Sequence, residues 1–160
     1  MAILDTGQAL RLDGVTIVPR DSLLQKAGHH VQKAISAYQK WLDVYGAMDR
    51  NAIKARINPS FYKGLKENDK EKRLKYLNNR VDEILNAQLE NKRRLSVALT
   101  NYGIILRHNE KYMEAIALYE KALELWPRNL AAKNNRNILM GKPIEKRNFI
   151  QKLFPPEKDE

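Results

Sequence analysis

The sequence predicts a mostly α-helical chain, and three observations carry that prediction. Lys, Glu, Ala, Leu, Asn and Arg dominate the 160 residues, with only seven Gly and six Pro over the whole length. This is a vocabulary of good helix formers with little punctuation. Beyond residue 20, apolar side chains recur at spacings of three and four, which lines them along single helical faces. Hydrophobic residues make up 43% of the chain, enough at this length to bury one core.

The elements follow in order. Residues 1–20 form an N-terminal segment of a different kind: ALRLDGVTIV alternates apolar and polar residues on either side of Asp13-Gly14, a dipeptide suited to a type I′ turn. A small β-hairpin is expected there, leaning on the helices or on another chain, because two strands alone are marginal in water. Residues 21–95 read as a basic helical region. Ser22 and Gln25 stand at capping-box spacing. Leu24, Gly28, Val31, Ile35, Tyr38, Leu42 and Tyr45 then share one face of a helix expected to reach Met48. Asn58-Pro59 predicts the start of a short helix. A long helix opens at Asn68 to Glu71 and carries Leu74, Leu77, Val81, Ile84, Leu85 and Leu89. The charged run Glu90 to Arg94 predicts a break or a fully solvated turn, after which Leu95, Ala98, Leu99, Tyr102, Ile105 and Leu106 resume the spacing. Asn109, tolerant of left-handed backbone, marks the next corner. The following helix stops at Pro127. Asn129 caps a last one, closed by Gly141 and Pro143, and residues 142–160 are a tail.

Within residues 96–141 the small side chains stand at telling places. Gly103, Ala115, Ala122 and Pro127 are separated by twelve, seven and five positions, and Tyr119 lies between the two alanines. Two antiparallel helices approach closely only where side chains are small, so Gly103 can face the second helix and Ala122 can leave room for a third. This segment resembles the tetratricopeptide repeat, whose pattern places W-x₂-L-G-x₂-Y before A-x₃-F and a final Pro. Leu99, Tyr102 and Leu106 keep the large positions large without keeping their identity. The resemblance covers one repeat at 96–129 and a closing helix at 130–140. It implies antiparallel helical hairpins whose concave face is lined here by Val97, Thr100, Ile104, Arg107 and His108, with Ala131, Asn134 and Ile138 from the closing helix. The family's carboxylate-gripping version has Lys and Asn where this chain has Thr100 and Ile104, which argues against such a clamp. AISAYQKWLDVYG, Ala34 to Gly46, echoes AIALYEKALELWP, Ala115 to Pro127, at five of thirteen positions. Trp41 replaces Ala122 in that echo, a bulk that would hold the next helix away.

The composition also sorts function classes. The net charge is +10, and residues 50–95 alone carry thirteen basic against six acidic side chains. Lys70, Lys72, Arg73, Lys75, Arg80, Lys92, Arg93 and Arg94 make up the candidate basic patch. There is no cysteine, which removes disulfides, thiolate nucleophiles and zinc–thiolate sites. His29 and His30 are adjacent, so on a helix they diverge by about 100° and do not share a metal. No phosphate-cradling glycine loop or nucleophile elbow appears. Neither catalysis, a metal nor a cofactor is expected. No transmembrane segment and no secretory signal is expected either, and cytoplasm is the default compartment. The expected function is a protein-binding adaptor or assembly subunit, with acidic partners matching the basic field and self-association left open. The alternative is nucleic-acid binding along the basic helices. In the tail, Phe149, Ile150, Leu153 and Phe154 place four large apolar groups in six residues, and Phe149 and Phe154 are candidate docking residues.

Overall fold

A computed structural model of the chain describes residues 8–10, 17–61 and 70–146. They are mostly helical. The helices are α1 (Arg20–Tyr45), α2 (Arg50–Phe61), α3 (Lys70–His108), α4 (Tyr112–Leu125) and α5 (Leu130–Leu139). Before them, β1 (Gln8–Leu10) pairs antiparallel with β2 (Ile17–Pro19), with Gln8 opposite Pro19 and Leu10 opposite Ile17. These three residue pairs do not establish the expected hairpin, because Asp13-Gly14 and the rest of its turn lie outside the described residues.

α3 is the spine. Its 39 residues span about 58 Å at 1.5 Å per residue, and every other helix packs on it. Of the two expectations at Glu90 to Arg94, a break is absent and a polar, partly exposed turn of helix stands there instead, so the division at residue 95 falls inside a continuous helix. Glu90 accounts for this: it pairs with Arg94 at 3.1 Å and Arg93 at 3.7 Å, one turn away along the same helix. Pairs at this spacing carry a polar turn through without breaking the backbone ladder.

Two apolar clusters hang on the spine. Toward its C-terminal half, Leu95, Leu99 and Leu106 meet Ala115, Tyr119 and Ala122 of α4 and Ala132 of α5, with Ile35, Tyr38 and Leu42 of α1 packed alongside. Toward its N-terminal half, Val81 and Ile84 surround Ile53 of α2, and Trp41, Tyr45 and Ile57 close over them. The bulk of Trp41 therefore fills the gap between α1, α2 and α3 where Ala122 leaves space for α5. Leu74 and Leu89, expected in the stripe, are exposed instead.

Local chemistry fixes the corners. α2 begins at Arg50 rather than at Pro59: Asp49 accepts the Ala52 amide at 2.8 Å, so the cap expected of Asn58 belongs to Asp49, and Pro59 falls in the last turn. At the end of α3, Glu110 and not Asn109 takes the left-handed backbone, with φ 61°. Lys111 N–H bonds Leu106 C=O and Glu110 N–H bonds Arg107 C=O, the pair of a Schellman motif. α5 ends the same way, with Gly141 at φ 66° and Lys142 N–H on Asn137 C=O. Trp126 is extended at φ −147°, ψ 91°, as a residue before proline prefers, and Asn129 caps α5 through the Ala132 amide.

Candidate protein-docking surface

α1 runs antiparallel to α3, with Gly28 beside Tyr102 and Ile105 and the Tyr45 carbonyl bonded by Gln88. α4 is also antiparallel to α3, because Ser96 reaches Ala122 and Gly103 meets Tyr119. α5 returns parallel to it, with Asn129 at Thr100 and Asn135 at Arg107. Two helices flanking one spine leave grooves on either side of α1. One, of about 450 Å³, lies between α1 and α4 over Leu95 and Leu99. The other, of about 470 Å³, is bounded by α1, α3 and Trp126.

The second groove brings together residues that the sequence kept apart. Val31 and Ala34 of α1 face Val97 and Ala98 of α3 across an apolar floor. Arg93 and Arg94 stand at its rim, Arg93 lying 4.9 Å over the Trp126 ring. Hydrogen bonding to Glu90 first, and then to Tyr38, holds Arg94 above its ordinary pKa. Val97, expected on a concave docking face, thus shares a cleft with two members of the basic patch. Trp126 was missed: standing before Pro127, it is turned out of α4 and laid against Arg93.

The other expected site residues divide. Ile104 is half-buried, His108 and Ile138 are exposed, and Arg107 donates to Asn135 at 2.9 Å. Asn134 is engaged by the chain itself: its amide donates to Glu145 C=O at 2.9 Å and accepts Glu145 N–H at 2.8 Å. Thr100 does not face a partner, which corrects the expectation. It is buried, donates to Ser96 C=O at 2.8 Å and accepts from Asn129 at 3.0 Å. Asn129 also donates to Ser96 Oγ at 2.8 Å, and Ser96 donates to Ala122 C=O at 2.6 Å. This network satisfies the buried side chains of Ser96, Thr100 and Asn129 at the point where α3, α4 and α5 converge, and a buried network holds only when each member has its partner. Phe149 and Phe154 lie outside the described residues.

The motif residues sit at the seam between α3 and α4. Ala115, Tyr119 and Ala122 are fully buried, and Gly103 lies directly under the Tyr119 ring. The Tyr119 hydroxyl is buried with no hydrogen-bond partner among the described residues, and burial raises its pKa. The basic patch is two groups rather than one stripe. Lys70, Lys72, Arg73, Lys75 and Arg80 occupy the first turns of α3, where Arg80 pairs with Glu83 at 2.7 Å. Lys92, Arg93 and Arg94 stand about 18 Å further along.

Among the described residues, no three His, Cys, Asp or Glu side chains gather as a metal site, and no helix is long and apolar enough to cross a membrane. No protein-family model, curated protein or solved structure matches this chain.

Proposed function

We propose that this protein is a non-enzymatic adaptor or assembly subunit that docks another protein through a tetratricopeptide-type helical surface. The observation that carries the reading is the cleft between α1, α3 and Trp126, an apolar floor with Arg93 and Arg94 at its edge. Clefts of this kind, mostly apolar with a few placed polar groups, are where ligands and partner side chains bind. Supporting the repeat assignment are Gly103 against Tyr119, the buried alanines of the α3–α4 seam, the stop at Pro127 and the parallel return of α5. A partner presenting an apolar group flanked by carboxylates suits the rim, where two guanidiniums share one carboxylate.

Val97 is 44% exposed, so Val97→Glu leaves the core intact while placing a charge on the cleft floor. Affinity capture with quantitative mass spectrometry, wild type against Val97→Glu, is expected to show a defined partner reduced at least tenfold by the substitution. A wild type that captures nothing the variant loses sinks the reading. The second reading, nucleic-acid binding, draws on the first turns of α3, where Tyr76, 52% exposed, stands among basic residues. A gel shift of RNA or DNA that survives physiological salt, and disappears when Lys72, Arg73 and Lys75 are reversed to Glu, would put that reading first.

A further inference from the structure

Residues 142–146, which follow α5, stay on the fold. Asn137 donates to Pro143 C=O at 3.0 Å, Asn134 brackets both backbone groups of Glu145, and Lys133 pairs with the Glu145 carboxylate. These contacts have a direction. As the chain advances from Pro143 to Glu145, its partners step back along α5 from Asn137 to Asn134 and Lys133. α5 is parallel to α3, so the segment is heading toward the N-terminal end of α5 and, beyond it, toward Trp126 and Arg93. Lys133 is three residues from the first residue of α5, about 4.5 Å of helix.

We propose that the cleft between α1, α3 and Trp126 is filled by the chain's own C-terminal segment, with Phe149, Ile150, Leu153 and Phe154 supplying the apolar groups. Reach permits this. The eight residues from 147 to 154 span up to about 26 Å when extended, measured from an anchored start already pointed at the cleft. Chemistry matches as well: the floor is Val31, Ala34, Val97 and Ala98, and the rim has Arg93 and Arg94 against a single Glu90. After Phe154 the sequence supplies Glu157, Asp159 and Glu160 against one Lys158, a surplus of carboxylates to match the rim's surplus of guanidiniums. The inference rests on reading this cleft as a docking surface, and it makes the tail an internal competitor for any partner that binds there.

The absence of cysteine from these 160 residues gives a clean test in the whole 160-residue chain. Pairs of new cysteines join the cleft to the tail: Val97→Cys with Phe149→Cys, and Val97→Cys with Phe154→Cys. Control pairs place the first cysteine at exposed Glu120 on α4. Under mild oxidation at low protein concentration, at least one cleft pair is expected to form an intramolecular disulfide ten or more times faster than its control, with circular dichroism confirming the fold of each variant. Equal rates for cleft and control pairs overturn the proposal. Disulfide-linked dimers in place of monomers also overturn it, assigning the cleft to the tail of a second copy. Partner capture by the wild type is scored separately, so the loss of one reading is not mistaken for the loss of the other.

Discussion

A methyl group added at Gly103 would lie 2.5 Å from the Tyr119 ring, whereas one added at Gly28 would lie 3.9 Å from Ile105. Both glycines are buried in helices packed against α-helical neighbours, and only the first has no room. Gly103→Ala forces the fully buried Tyr119 ring to move and is expected to cost about 1–3 kcal/mol. Gly28→Ala meets ordinary contact and removes a poor helix former, so a gain of up to about 1 kcal/mol is expected. Chemical denaturation of the two variants beside wild type measures both, and equal midpoints for all three proteins would refute the close approach. Gly103 was legible in the sequence because its distance to Ala115 and Ala122 matched a helical hairpin. The inward turn of Thr100 was not. Its environment depends on Asn129, which lies 29 residues away and reads locally as nothing more than a helix cap.

Element ends were read from residue type, and residue type ranks candidates without deciding among neighbours. Asn109 and Glu110 are adjacent, and the sequence favours Asn for a left-handed corner. The register of the last α3 turn decides otherwise, because the amides of Glu110 and Lys111 are the ones that reach Arg107 C=O and Leu106 C=O. Glu110 therefore holds φ 61° against the preference of an L residue, worth about 1–2 kcal/mol. Glu110→Gly relieves that strain at some entropic cost in the unfolded chain. A net stabilisation of about 0.5–1 kcal/mol is expected in thermal or urea unfolding, and destabilisation would mean that Glu110 contributes something the backbone geometry does not account for. The same limit explains α2. Asn58-Pro59 is a sound starting signal, but Asp49 supplies an equally good cap one turn after α1 ends, and Ile53 then falls directly onto Val81 and Ile84. Tertiary burial chose between two legal starts.

At the scale of the molecule, the helical class and the α3–α4–α5 hairpin were readable because they rest on contacts close in sequence. The cleft was not readable, because its walls come from three stretches of chain and meet only when α1 lies along α3. That spacing has a kinetic meaning. The α3–α4 seam is closed by contacts such as Ser96 to Ala122, 26 residues apart, while α1 is tied to α3 by contacts such as Gln32 to Tyr102, 70 residues apart. The longer closure costs roughly 0.9 kcal/mol more chain entropy, and local pairings form sooner. Native-state hydrogen exchange is expected to show α1 amides opening at lower free energy than those of α3 from Leu95 onward; α1 amides protected to the level of that stretch would contradict this order. In that order the cleft between α1, α3 and Trp126 is the last feature expected to form. An intermediate holding the α3–α4–α5 stack without α1 would lack that cleft, because α1 supplies one of its walls.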